Sequence, residues 1–263
     1  MMVTGAVIQS APSDPPIDCQ NCRRLVDYRA ENAAAEPNWF NGAVPSRGDP
    51  EARLLIIGLA PGRQGANRTG RPFTGDASGA LLYATLRKHG WTAPADAAVA
   101  DQDCRLNGVT ITNAVRCAPP NNNPTAAEIA ACRPHLAAQI ANLPKLRAIL
   151  TLGRIAHEST LRALGERLRD HPFTHGAQSM AAGPNGPLTI APSYHCSRYN
   201  TNTGRLTPQM FDAVFAGLAT ALDRSGDARA GGPSGRDPQG PGARYRSALS
   251  DAALRPVPTG AAR

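Results

Sequence analysis

The chain has 263 residues, with 28 Lys and Arg against 20 Asp and Glu for a net charge of +8. Its length suits one sizeable α/β domain with tails, or two small domains, and the positive balance favours a polyanionic partner. No apolar run reaches membrane-spanning length, and the first residues lack the basic start and apolar stretch of a signal peptide. A membrane class is thereby excluded, and a cytoplasmic, nucleoid-associated location is expected.

Residues 1–16 are small, polar and without period, and are expected to be disordered, with the folded domain over 17–223. Four short apolar runs read as buried parallel strands: 54–59 (LLIIGL), 109–115 (VTITNAV), 148–152 (AILTL) and 188–192 (LTIAP). Each is followed by a helical pattern. The first covers 78–89. The second covers 125–142, opened by a Thr125/Glu128 capping box, with Ile129, Cys132, Leu136 and Ile140 on one face. The third covers 154–164. The fourth covers 207–223, with Thr207 as N-cap and Pro208 at the first helical position. Residues 224–263, rich in Gly and Pro with seven arginines against three aspartates, read as a disordered basic tail holding half of the net charge. The β-α alternation predicts an α/β fold, a mostly parallel sheet with helices on both faces. Ligands in such sheets bind outside the carboxyl ends of the strands, which brings Asn113 and His195 to one crevice.

The stretch after the first strand, GLAPGRQGANRTGRPFTGDASG (58–79), holds six glycines, two prolines and three arginines. It lacks both the lysine of a P-loop and the spacing of a dinucleotide turn. Connections of about twenty residues are commonly functional. Its polar groups (Arg63, Asn67, Arg68, Thr69, Arg71, Thr74 and Asp76) suit a phosphate-bearing ligand, with a plain surface loop as the alternative. Asp76 stands just before a helical run and reads as an N-cap. A helix N-terminus favours the ionised carboxylate by about 0.3–1 kcal/mol, which fits a base or a cation stabiliser and not a general acid.

Six cysteines in a reducing compartment argue for metal or redox use over disulfides. Cys19 and Cys22 form a C-x2-C pair; Cys117 ends a strand, and Cys132 lies on the inner face of the next helix. Four converging thiolates suit either zinc or an iron–sulfur cluster. Cys104 and Cys196 are left over, and Cys132 has a plainer reading as a small core residue.

Four blocks in order, GLAPG (58–62), NRTGRPFTGDASG (67–79), TNAVRCAPP (112–120) and SYHCSRYNTNTGRLT (193–207), together with the cysteine frame, resemble the type-5 (B-type) uracil-DNA glycosylases. The similarity runs over about 17–223. It implies the three-layer α/β/α sandwich of that superfamily and a structural [4Fe–4S] cluster on Cys19, Cys22, Cys117 and Cys132. It also implies a monomer acting on double-stranded and single-stranded DNA that carries uracil or other deaminated bases, such as hypoxanthine. On matching positions, Gly58 and Ala60 border the base, Phe73 stacks on it, Asn113 pairs with its edge and His195 donates to uracil O2. Asp76 then stabilises the sugar cation or orients water. Segment 197–207 corresponds to the strand-penetrating loop, with Ser197, Arg198, Tyr199, Asn200 and Arg205 meeting DNA and Arg68 assisting from the earlier loop. Two positions depart from wider superfamily patterns. Leu59 and Ala60 stand where other branches carry an acidic or amide side chain, and Cys196 stands where a proline is common. Two rival readings are a type-4 enzyme of narrower specificity and a non-catalytic iron–sulfur protein that binds lesions.

Overall fold

A computed structural model describes residues 13–93 and 104–227. Six strands form one sheet in the order β1-β3-β2-β4-β6-β5. Strands β2 (Leu54–Gly58), β3 (Val109–Asn113), β4 (Ala148–Leu152) and β6 (Gly186–Ser193) are the predicted apolar runs and run parallel. β2, β3 and β4 are buried at every position, as strands covered on both faces must be. Two antiparallel edges are added by β1 (Arg47–Gly48) and β5 (Ser179–Gly183). The alternation gave no sign of either. β1 has only two residues, and the small side chains of SMAAG make no apolar period.

Helices α3 (Ala77–Lys88) and α7 (Pro208–Asp227) cover one face of the sheet. There Leu82, Leu86, Phe211 and Phe215 pack on Leu54, Ile56, Ile111 and Leu150. Helices α4 (Ala126–Ala141) and α5 (Arg154–Leu164) cover the other face, through Leu136, Ile140 and Ala156 on Leu55, Ile57 and Ile149. The three layers are those expected. Local start signals hold as well. Thr125 and Glu128 form a complete capping box, and Thr207 Oγ1 accepts from Met210 N at 3.1 Å.

The ends differ in part from the expectation of disorder. Residues 1–12 and 228–263 lie outside the described residues, but Ser13 and Asp14 are docked. Fully buried Arg116 donates to Asp14 Oδ1 at 2.6 Å and to Ser13 O at 3.1 Å. Helix α7 continues to Asp227. Another helix, α1 (Arg23–Ala35), was not predicted. Its buried residues are Leu25, Arg29 and Asn32, a mostly polar face that shows no apolar period. Arg24 joins α1 to α4 by an ion pair to Glu128 at 2.7 Å, which pulls the Glu128 carboxyl below its ordinary range.

One buried imidazole makes stability depend on pH. His157 in α5 is 1% exposed. Its Nε2 donates to His171 O at 2.8 Å, and its Nδ1 accepts from Thr151 Oγ1 at 3.2 Å. Burial pushes its pKa down. Unfolded, it takes a proton near the ordinary value of about 6.5; folded, it does so only at lower pH. Its contribution is therefore full above that value and is lost as pH falls below it. The melting temperature should drop through that window, and less steeply in His157→Gln. Equal acid sensitivity in the two proteins would place the effect elsewhere.

Candidate active site

The carboxyl ends of β2, β3, β4 and β6 open on one side of the sheet. A cavity of about 480 Å³ lies there, walled by Leu59, Ala60 and Asp76 on one side and by Gly153, Arg154 and His195 on the other. A smaller recess of about 30 Å³ adjoins it, lined by Ala60, Phe73, Asp76, Asn113 and His195. The sequence reading thus placed Asp76, Phe73, Asn113 and His195 correctly together. It missed Ser78 and Asn122, which complete the walls. The only available signal for Asn122 was the Asn-Asn-Asn run, and Asn121 and Asn122 do adopt left-handed backbone (φ 55 at each), which Asn tolerates better than most residues.

Gly58 makes the recess possible. A Cβ there would fall 2.4 Å from Asn113 Oδ1 and 2.5 Å from Phe73 Cζ, so any side chain would fill the space. Phe73 is held in left-handed backbone (φ 55), a strain of about 1–3 kcal/mol that tends to persist where function requires it. Its ring stacks against His195 at 5.8 Å between centroids. Asn113, paired in register with Gly58, is 4% exposed. Its Oδ1 has no hydrogen-bond partner among the described residues. Such a buried acceptor costs about 1–3 kcal/mol until a donor arrives.

The carboxylate of Asp76 serves two ends. Oδ1 caps α3, accepting from Gly79 N at 3.0 Å. Oδ2 lies toward Gly65, where an added Cβ would come within 2.6 Å of it. The cap and the cavity-facing anion are therefore one residue in one position. His195 follows β6, and burial holds its imidazole below the ordinary value, against the weaker opposing pull of Asp76. The ring is therefore a neutral donor at neutral pH.

Other expected groups do different work. Arg63 donates to Asn32 Oδ1 at 2.6 Å and lies over the Trp39 ring. Asn67 donates to Asn41 at 2.9 Å, and Thr69 and Thr74 bond to each other. Arg63 and Asn67 thus tie the glycine-rich loop to α1 and to the segment after it, Thr69 and Thr74 brace it internally, and Asp76 and Ser78 are left as its polar side chains on the cavity. Arg68 sits on the short helix α2 (Ala66–Thr69), away from both cavities. Segment 197–207 is not all loop. Ser197 caps a short helix, α6 (Arg198–Asn202). Asn200 turns inward, its amide donating to His195 O at 2.8 Å. Arg198 and Tyr199 are exposed as expected, Tyr199 by 73%. Arg205 lies over the Tyr194 ring at 4.8 Å, and Arg154 over Phe173 at 5.2 Å. Cys196, in place of the common proline, donates its thiol to Ser78 O at 3.4 Å, which ties the His195 loop to the first turn of α3.

Beyond the carboxyl end of β3, Cys19, Cys22, Cys117 and Cys132 line one small cavity beside Leu25, Val115 and Arg116. All four are free thiols. Burial raises the pKa of Cys22 and Cys132, and pushes Cys117 up to about 12. Arg116 N donates to Cys132 Sγ at 3.4 Å. Among the described residues, no three His, Cys, Asp or Glu side chains gather as ligands of one metal ion.

Residues 45–219 match the sequence family described as the Uracil DNA glycosylase superfamily. A type-5 uracil-DNA glycosylase of Thermus thermophilus is 49% identical over 203 residues, covering 75% of this chain and 90% of that protein. One of Mycobacterium leprae is 42% identical, covering 75% and 88%. A type-4 uracil-DNA glycosylase of Sulfurisphaera tokodaii is 32% identical, covering 75% and 79%. With its sheet order, its four strand ends meeting at one cavity and this similarity over most of its length, the chain belongs to the uracil-DNA glycosylase superfamily.

Proposed function

We propose that this chain is a monofunctional type-5 uracil-DNA glycosylase that flips uracil from DNA and leaves an abasic site for base excision repair. The observation that carries the reading is the orphaned Asn113 Oδ1, a buried acceptor between Phe73 and His195. Uracil N3–H supplies the missing donor, and the Asn113 amide in turn donates to O4. The recess, about 30 Å³, holds about two waters. The base therefore enters by parting the Phe73 and His195 rings, and Phe73 then stacks on it. As the bond between C1′ and N1 breaks, its electron pair passes to the base. His195 donates to O2, where negative charge grows. Asp76 faces the sugar as its positive charge grows; water then bonds to C1′ and gives up one proton, and the departing uracil anion takes up one from solvent, so that free uracil and an abasic site result.

The similarity to type-5 enzymes extends the proposal to other deaminated bases, hypoxanthine included. The test is single-turnover cleavage of duplex and single-stranded DNA carrying uracil or hypoxanthine. Failure to form abasic sites in any of them would leave only a lesion-binding protein.

On the DNA backbone, Arg154 and Arg205 are cations parked on aromatic faces, which holds them rigid for phosphate contact. Arg154→Ala should flatten the salt dependence of binding by about 0.9, one phosphate's worth. Phe173→Leu keeps the charge but removes the platform, and should weaken binding less. Unchanged salt slopes in both variants would remove Arg154 from the interface.

The four thiols suit a structural [4Fe–4S] cluster. They line a cavity, two of them accept N–H donors, and when bound the group would tie the N-terminal segment to β3 and α4. Protein purified without oxygen should be brown with about four irons per chain. Cys104→Ser should not change the iron content. One zinc and no iron would refute the cluster.

A further inference from the structure

We propose that Arg29 is the fixed counter-charge of an anionic group held by Cys19, Cys22, Cys117 and Cys132, and that it clamps the N-terminal cysteine segment onto that group. The inference rests on the cluster reading above. Arg29 lies on the inner side of α1 and is 6% exposed. Its Nη1 donates to Ile17 O at 3.1 Å and to Cys117 Sγ at 3.5 Å, and its Nη2 to Cys19 O at 2.6 Å. Among the described residues it has no carboxylate partner. The neighbouring cations differ. Arg116 is paired with Asp14 at 2.6 Å, and Arg24 with Glu128 at 2.7 Å.

A buried guanidinium whose partners are carbonyls and a sulfur, with no carboxylate beside it, is an uncompensated charge, which is costly in a protein interior. Four thiolates on a doubly positive iron–sulfur core leave a net negative group, and the uncompensated charge disappears. The arrangement is thus complete only when the cysteine cage is loaded. Arginine fits where lysine does not, because its planar fork reaches three acceptors at once. Those acceptors belong to both halves of the cage. Ile17 precedes the first cysteine pair and Cys19 belongs to it, while Cys117 belongs to the second. A fixed positive charge with a hydrogen bond to sulfur also favours the reduced state, since both levers act on cluster potential.

The test uses the full chain, loaded and purified without oxygen, with three substitutions. Arg29→Met removes charge and fork at similar length, Arg29→Gln keeps some hydrogen bonding, and Arg29→Lys keeps the charge. The readouts are iron per chain, the rate of iron loss to a chelator and the midpoint potential. Arg29→Met should lose iron about tenfold faster or more, as outer-shell partners of metal sites do, with a more negative potential. Arg29→Lys should keep a potential near that of the unmodified protein, while Arg29→Gln shifts as Arg29→Met does. Equal iron retention and potential in Arg29→Met and the unmodified protein would overturn the inference. If Arg29→Met does not fold, equal shifts in Arg29→Lys and Arg29→Gln would overturn the role of charge. An unmodified protein without iron refutes the cluster reading itself, before any variant is compared.

Discussion

Asp76→Asn is expected to lower the single-turnover rate of uracil excision by about two orders of magnitude or more, the scale on which preorganised electrostatic contacts act. Melting temperature should barely move. Asp76 Oδ1 caps α3 through Gly79 N at 3.0 Å, and Asn caps a helix about as well as Asp. The substitution therefore keeps the cap and removes the charge facing the cavity. Gly65→Ala makes an independent probe, because its methyl group would fall 2.6 Å from Asp76 Oδ2 and displace that oxygen. Both variants should lose rate. A near-normal rate for Asp76→Asn would reduce the carboxylate to a cap. A large fall in melting temperature would mean that the rate reports on folding instead.

His195→Ala should cost about 10²–10³ in rate, the usual loss when one donor to a developing anion is removed. His195→Gln should recover part of it, because an amide N–H can reach the same oxygen. Burial keeps the imidazole neutral below its ordinary value near 6.5, so the rate should show no histidine inflection as pH falls through that value. An inflection there, absent in His195→Gln, would show an imidazole that titrates as if exposed. Asn200→Ala should produce a milder loss in the same direction, because the Asn200 amide holds His195 O at 2.8 Å.

The sequence by itself determined the layered architecture and the place of the site. Strands β2, β3 and β4 are legible because every residue in them is buried, which leaves short runs of apolar and β-branched residues. Helices α3, α4 and α7 are legible from caps that act within three residues of chain, at Asp76, Thr125 and Thr207. The strand-end rule then put Asn113 and His195 at one crevice without any contact being known. Tertiary structure alone decided what has no local signature. Helix α1 is anchored by Leu25, Arg29 and Asn32, two of them polar, and part of what holds it lies far along the chain. Arg29 meets Cys117, 88 residues away, and Arg24 meets Glu128, 104 residues away. The inward turn of Asn200, the Asn67–Asn41 bond and the Thr69–Thr74 pair were equally invisible. An apolar residue announces burial by its own chemistry, whereas a buried polar residue is explained only by the partner the fold brings to it.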